Sequence, residues 1–292
     1  MKKIGFVVNG KKGISKNCYQ LIELLKEDYE SDIFLTSTKG NALELATNIE
    51  ADCIIAVGGD GTLNEVVNGV LKRESRPVLG VFPSGNGNDF ATANGIGQNP
   101  KQFAKMLRAH NVKNIDVGIV KNDDASRYFI NISSAGLGGY VAQTINHING
   151  PFKYPRSILL GFFQMKKALG IVTGNSLERK TPLMTAAFCN STTFANGLMI
   201  QPDAQIDDGQ LHCCLIGDVK LGTYFLNLRN LKKGIKIAHP EVTYHHGGIF
   251  SVNIENGRCH IETDGEYFGT CPATFSIARE KVRFIFPERP FK

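Results

Sequence analysis

The chain has no tryptophan, no basic repeat and no aromatic string of the kind that stacks bases. Nucleic acid is therefore the weaker choice of partner, although a net charge of +6 suits an anionic one. No apolar run reaches the roughly 18 residues a membrane span needs, and Met1-Lys2-Lys3-Ile4 leads straight into a strand pattern rather than an apolar leader. The expectation is a cytoplasmic protein not integral to a membrane. Seven cysteines, an odd number without a Cys-x-x-Cys pair, argue against a disulfide framework or a structural zinc site. His212-Cys213-Cys214 is the one cluster, and consecutive residues on a strand point to opposite faces, so the three cannot converge on a metal. The absence of G-x-x-x-x-G-K-[S/T], G-x-S-x-G and H-E-x-x-H removes P-loop ATPase, hydrolase and metalloprotease readings. Gly136-Leu137-Gly138-Gly139 lacks the third glycine of a dinucleotide fingerprint and comes too late in the chain. There is no internal repeat and no low-complexity segment.

What remains is a globular composition, 42% apolar and 21% charged over 292 residues, enough for one large or two ordinary domains. The chain is organised around Val57-Gly58-Gly59-Asp60-Gly61-Thr62-Leu63-Asn64-Glu65. It follows Cys53-Ile54-Ile55-Ala56-Val57, a run suited to a strand buried on both faces. Three glycines let the backbone turn sharply and approach a ligand closely. Thr62 and Glu65 have capping-box spacing, which predicts a helix starting there with free amides aimed at the loop's occupant. A carboxylate beside phosphate is repulsive unless a divalent cation bridges them, so the glycines with Asp60 point to a magnesium-bound nucleotide.

The first third alternates strand-like runs (Ile4–Val8, Ile33–Leu35, Cys53–Val57, Val78–Phe82) with helical segments near Lys16–Glu27, Asn41–Ile49 and Thr62–Val70. This rhythm predicts a parallel sheet covered on both faces, with ligands outside the carboxyl ends of its strands. Polar, mostly glycine-rich loops fall there: Asn9-Gly10-Lys11-Lys12-Gly13, Thr36-Ser37-Thr38-Lys39-Gly40, Gly58–Thr62 and Pro83-Ser84-Gly85-Asn86-Gly87-Asn88-Asp89. Each alone reads as an ordinary turn; their placement on one edge is the stronger signal. From about Lys113 the pattern becomes antiparallel, with strands expected at Ile115–Val120, Tyr128–Ile132, Leu183–Asn190, Leu211–Ile216, Ile249–Ile254, Cys259–Glu262, Ala273–Ile277 and Val282–Ile285. The domain boundary is expected near residue 120. Two helical inserts, Pro155–Gly170 and Leu221–Leu231, are flanked by basic residues, and 219–239 contains no acidic one. They read either as core-packing helices with solvated basic faces or as a surface for anionic lipid.

Two acidic segments complete the pattern. His260-Ile261-Glu262-Thr263-Asp264-Gly265-Glu266 runs a strand into an Asp-Gly hairpin turn, which makes Glu266 a candidate base. Pro202-Asp203-Ala204-Gln205-Ile206-Asp207-Asp208-Gly209-Gln210 does not have EF-hand spacing and reads by itself as a solvated turn.

In order, G-G-D-G-T, P-x-G-x-x-N-D-F-A, P-D-A…D-D-G and D-G-E resemble the diacylglycerol kinase catalytic domain family, which includes sphingosine kinases and bacterial lipid kinases. The resemblance covers nearly the whole chain. It implies an α/β protein, with an N-terminal parallel-sheet nucleotide-binding domain (1–120, with about 283–292 returning to it), a mainly antiparallel β-rich lipid-substrate domain (121–282), and a cleft between them. ATP would lie against Asn9, Gly13, Thr36, Gly58, Gly59, Asp60, Gly61, Thr62, Asn64 and Asn86, with Mg²⁺ near Asp60. Glu266 would take the proton of a lipid hydroxyl, with Asp264 near the metal or orienting the site. Asp208, with the carbonyls of Gln205 and Gln210, would hold a structural Mg²⁺.

The chain departs from the pattern at Gly10, where proline is usual, at Asn86, where threonine or serine is common, at His212, often an aspartate, and at Asn196-Gly197, where consecutive glycines are usual. The expected partners are a lipid substrate at a membrane surface, with the enzyme cytoplasmic and peripheral, and anionic lipid at the basic patches. An edge strand of the second domain leaves room for a homodimer. Diacylglycerol is the leading acceptor. The alternatives are a sphingoid-base or NAD-type kinase, or a non-catalytic regulator that binds nucleotide or lipid. Asn86 and His212 keep the regulator open; Asp60, Asp264 and Glu266 count against it.

Overall fold

The computed structural model describes every residue except 1, 12, 149–152, 176, 196 and 292, so Lys12 of the first loop and Asn196 lie outside the described residues. The chain folds as two units, Met1–Asp116 with Arg279–Lys292, and Val117–Ala278.

In the first unit, short apolar runs become strands β1 (Lys3–Val8), β2 (Glu30–Leu35), β3 (Cys53–Gly58) and β4 (Val78–Pro83). They alternate with helices α1 (Lys16–Leu25), α2 (Asn41–Asn48), α3 (Asp60–Val70), α4 (Asp89–Ala93) and α5 (Pro100–Ala109), and β5 (Val112–Ile115) follows. β3 and β4 are buried at every position, as parallel strands covered on both faces should be. α1 starts where the Ser15 side chain accepts the Cys18 N–H. α5, which the periodicity did not predict, has Asn99 as N-cap with Pro100 next.

The capping box at Thr62 does not form. α3 begins two residues earlier behind Gly59, without a side-chain cap. Glu65 instead accepts the N–H groups of Gly40 (2.9 Å) and Ala42 (3.1 Å), capping the neighbouring α2, whose own N-cap is a glycine. A tertiary neighbour has taken the role that local spacing reserved for the same helix.

The second unit runs β6 (Gly118–Lys121), β7 (Ser126–Phe129), β8 (Ile132–Gly136), α6 (Leu137–Thr144) and α7 (Lys153–Gln164). It continues through β9 (Ala168–Gly174), β10 (Leu177–Leu183), β11 (Thr185–Cys189), β12 (Thr193–Phe194), β13 (Leu198–Met199) and β14 (Leu211–Ile216). Then come α8 (Leu221–Lys232), β15 (Val242–Gly247), β16 (Ile249–Asn256), β17 (His260–Thr263), β18 (Glu266–Thr270) and β19 (Ala273–Ile277). The last strand, β20 (Val282–Ile285), returns to the first unit. The first unit's sheet is ordered β2-β1-β3-β4-β20-β5 and is parallel except for the β20–β5 pair. The second unit has two six-stranded sheets, β10-β9-β16-β19-β6-β7 and β15-β14-β11-β8-β17-β18, both antiparallel.

Several expected elements divide. The run 115–120 breaks after Ile115, so that β5 serves one unit and β6 the other; the fully buried Asp116 pairs there with Lys281 at 2.8 Å. The run 183–190 breaks at Met184, whose carbonyl accepts the Leu137 N–H at the start of α6. The helix expected over 155–170 stops at Gln164, because Ala168–Gly170 pair with Thr181–Leu183 and join the β-branched run Ile171-Val172-Thr173 in β9. The two antiparallel sheets enclose a core in which Phe188 of β11 stacks on Phe275 of β19 with centroids 4.0 Å apart. Cys213 faces this core and Cys214 the one on the other side of its sheet, so the His-Cys-Cys run separates as strand alternation requires. All seven cysteines are free, and among the described residues no helix is long and apolar enough to cross a membrane.

Candidate active site

The loops after β1 to β4 are tied to one another by short contacts. The Asn9 side chain donates to Thr62 Oγ1 at 3.4 Å, and the Gly10 N–H donates to Thr36 Oγ1 at 3.1 Å. Ser84 N–H donates to the Gly58 carbonyl at 2.9 Å, and a Cβ on Gly85 would run into the Gly59 backbone. Glycine at these two positions is what lets the third and fourth loops touch. Asn88, in the left-handed region at φ 55°, holds Gly85 through both its amide atoms. Gly13 closes the first loop at φ 65° by donating to the Gly10 carbonyl. The structure thus links the loops of Asn9 and Thr36 to Gly58, Gly59, Asp60, Gly61 and Thr62 at the start of α3, with Gly13 closing the first of those loops. Here the amides of Asp60, Gly61 and Thr62 belong to a first turn that has no intrahelical acceptors. Asn86 is exposed on the fourth loop.

Two expectations in this region change. Asn64 is fully buried, its Oδ1 accepting from Asn68 Nδ2, so its side chain cannot touch a ligand. Asp60 caps α4: its two carboxylate oxygens accept the N–H groups of Asp89 and Phe90, each at 3.1 Å. Each oxygen keeps a second lone-pair direction, which suits contact with a hydrated cation.

In the second unit, β17 and β18 pair Thr263 with Glu266 across Asp264-Gly265, both with positive φ (47° and 83°), a primed hairpin turn. Asp264 fills a nest of backbone donors, accepting the N–H groups of Ile130, Asn131 and Ile132, each at 3.0 Å, while its own N–H donates to the Ile132 carbonyl. This is why the expected strand 128–132 breaks into β7 and β8: the amides that would extend the ladder turn toward Asp264. Asp264 is therefore a positioning residue for the hairpin. Glu266 forms an ion pair with Arg127 Nη2 at 2.8 Å, both side chains about one-fifth exposed (21%).

Sequence reasoning missed the groups that brace this hairpin. Glu262 accepts the Gly265 N–H at 2.8 Å and the Ser134 hydroxyl at 2.7 Å. Burial pushes its carboxyl up to about 7; Ser134 and the Gly265 N–H draw it down, Asp264 adds to the rise and Arg127 opposes it. α6 backs directly onto β17, since a Cβ on Gly139 would collide with His260 backbone. Gly139 thus serves helix-on-strand packing. Only the Asp-Gly pair signalled the turn; Arg127, Ser134 and Glu262 are brought in by strand pairing that no local spacing marks.

The P-D-A…D-D-G loop is occupied internally. Asp208 Oδ1 accepts the Gln210 N–H at 3.0 Å and Oδ2 faces His212 Nε2 at 2.8 Å, while Gln210 Oε1 lies 2.6 Å from His246 Nδ1. Mg²⁺ requires a near-octahedral set of oxygens. Gln205, Asp208 and Gln210 supply a single carboxylate, and an imidazole nitrogen sits against one of its oxygens. Among the described residues no three acidic, histidine or cysteine side chains gather as a metal site would. With one carboxylate and two backbone carbonyls expected, a Mg²⁺ here would have to keep several waters and displace His212 from Asp208 Oδ2.

Comparison with known proteins places these features. Residues 3–120 match the diacylglycerol kinase catalytic domain, and residues 131–286 match the YegS C-terminal NAD kinase beta sandwich-like domain. The chain is 31% identical over 281 residues to a diacylglycerol kinase of Staphylococcus haemolyticus, covering 92% of this chain and 82% of that protein. A diacylglycerol kinase of Staphylococcus aureus is 30% identical over 280 residues, covering 91% and 85%. The crystal structure of a diacylglycerol kinase from Bacillus anthracis shares the fold with a TM-score of 0.76 at 19% identity, covering 99% of this chain and 98% of that one. An NAD kinase from Archaeoglobus fulgidus, solved in complex with ATP, is a more distant likeness in fold, with a TM-score of 0.54 at 13% identity over 100% and 96% of the two chains. The parallel-sheet unit followed by antiparallel sheets is the architecture expected from the sequence.

Proposed function

The chain belongs to the diacylglycerol kinase family of lipid kinases, and from that premise we propose that it transfers the γ-phosphoryl group of ATP to the hydroxyl of a diacylglycerol, giving phosphatidic acid. The observation that carries this reading is the set of linked loops around the start of α3, where glycine backbone and first-turn amides converge. Amides in that arrangement favour an anionic ligand of the size and charge of a triphosphate. Mg²⁺ accompanying the nucleotide would neutralise phosphate charge, and Asp60 would be the carboxylate that holds it. Glu266 takes the acceptor's proton as the hydroxyl oxygen bonds to the γ-phosphorus. The bond from that phosphorus to the β,γ-bridging oxygen breaks and ADP leaves. Arg127 orients the base through its 2.8 Å pair, and Asp264 and Glu262 fix the turn that presents it.

The test is transfer from γ-labelled ATP to diacylglycerol, monoacylglycerol, sphingosine, phosphatidylglycerol and NAD in parallel, with wild type and Glu266→Gln. Label is expected in phosphatidic acid, falling by about two orders of magnitude or more in the variant while nucleotide binding persists. Label confined to sphingosine or NAD would replace the acceptor. Near-normal turnover in Glu266→Gln would remove that residue from the mechanism, and ATP binding without any labelled product would favour a regulator.

A further inference from the structure

Six of the eleven large apolar side chains exposed among the described residues lie on two helices and the turn that follows them: Leu159, Leu160 and Phe163 on α7, Phe225 and Leu226 on α8, and Ile235 just beyond. Phe163 is 75% exposed, Phe225 53% and Leu226 81%. The opposite faces of the same helices are in the core: Ile158, Phe162 and Met165 on or just after α7, and Leu228 and Leu231 on α8, pack with Leu137, Met184 and Leu198. Phe162 and Tyr224 join the helices, with ring centroids 5.3 Å apart. Each helix therefore has one apolar face buried and a second in water, which a protein with no further partner for that face has no reason to keep.

The unpaired charge around this patch has one sign. No acidic residue occurs between 219 and 239. Lys236 pairs with Asp203 and Lys167 with Asp218, but Lys166, Lys220, Arg229, Lys232 and Lys233 form no ion pair among the described residues. A basic rim of this kind repels a second copy of itself and complements an anionic surface. We propose that the outer faces of α7 and α8 are where this enzyme sits on an anionic lipid bilayer, with Phe163, Phe225 and Leu226 entering the acyl boundary and the lysines meeting headgroup phosphates. The choice of a bilayer rests on the lipid acceptor proposed above, since such an acceptor stays in the membrane that carries it.

The chain's lack of tryptophan makes the test direct. Leu226→Trp supplies the sole indole, and its emission is expected to shift to the blue, and to be quenched by brominated acyl chains, on vesicles of phosphatidylcholine with phosphatidylglycerol. Tyr19→Trp, on the exposed face of α1, is expected to show neither change. Lys232→Glu with Lys233→Glu should weaken sedimentation with these vesicles by at least about tenfold at low salt. The inference is overturned if vesicles carry down the protein while the Leu226→Trp spectrum stays unchanged. It is also overturned if the charge-reversed protein binds as well as wild type, or if the spectrum shifts with protein concentration alone, which would mark self-association. A parallel assay on a water-dispersed short-chain diacylglycerol separates the two readings. Activity there with loss on vesicles supports the docking face, whereas absence of transfer to any lipid in wild type rejects the acceptor and leaves the vesicle measurements as a test of the surface.

Discussion

Asp264 offers the sharpest test of how the proposed base, Glu266, is positioned. Its carboxylate accepts three backbone N–H groups at 3.0 Å from residues 130 to 132, and the segment is pinned from the other side by Asn190 and Ser191 N–H groups on the Asn131 carbonyl. In Asp264→Asn the amide oxygen can replace Oδ1, which serves Asn131 and Ile132, but the amide nitrogen then faces the Ile130 N–H donor to donor. Two charge-assisted bonds become neutral ones and one buried N–H is orphaned, a loss of roughly 2–4 kcal/mol. Asparagine tolerates the left-handed region, so φ 47° adds little to that loss. At about 2–4 °C per kcal/mol for a chain of this class, the melting temperature should fall by roughly 4–16 °C. The fall should be the same without nucleotide and Mg²⁺, which a metal ligand would not give. Hydrogen exchange should show residues 130–132 losing protection ahead of the rest of β8. A melting temperature within about 1 °C of wild type, or unchanged protection at 130–132, would refute the nest as the reason for this aspartate.

Gly10→Pro, which restores the family's usual residue, should destabilise by about 1–3 kcal/mol and weaken ATP binding, because it deletes the N–H that Thr36 accepts and puts a Cβ into the Thr36 carbonyl; denaturant unfolding and nucleotide titration read both effects. Glu262 gives a pH signature. Its carboxyl is raised from 4.5 to about 7, so the folded protein holds a proton there that the unfolded chain has released. The associated stability is full below pH 4.5 and is lost as pH rises through 7, about 3 kcal/mol in all. Glu262→Gln should flatten that part of the melting curve against pH; an unchanged slope would show that the carboxyl is not the group responsible. For the acidic loop, millimolar Mg²⁺ without nucleotide should leave the melting temperature of wild type unmoved, while His212→Asp, which returns a second carboxylate beside Asp208, should gain a Mg²⁺-dependent rise.

The sequence was informative where a feature depends on one stretch of chain. Apolar runs such as Cys53–Val57 bury both faces because their composition leaves no polar side, and the loops between them fall at one sheet edge because parallel crossovers put them there. The Asp-Gly hairpin could be read for the same reason. What could not be read is choice among partners. Thr62 and Glu65 have the right spacing to cap their own helix, yet Glu65 caps α2 and Asp60 caps α4, because helices packed side by side offer rival donors that spacing does not register. Ala168–Gly170 carry a helical rhythm onward from α7 but sit opposite Thr181–Leu183, and the cross-strand ladder prevails. Arg127 of β7 meets Glu266 of β18 across 139 residues of chain only because β8, which follows β7, pairs with β17, which leads into the turn.

This distinction bears on whether the chain has kept its chemistry. Departures from the family pattern at His212 and Asn86 were the grounds for a regulator without turnover. His212 now has a structural reason that does not involve the reacting groups: it satisfies Asp208 at 2.8 Å where a cation would otherwise be needed. Gly10, a further departure, likewise donates to Thr36 and permits an approach that no side chain would allow. The proposed base and its support are assembled in this structure: Glu266 pairs with Arg127, and its turn is held by the Asp264 nest and the Glu262 brace. His212 and Gly10 therefore concern how loops are held, and neither touches Glu266 or the turn that carries it, so these two substitutions carry no weight against phosphoryl transfer.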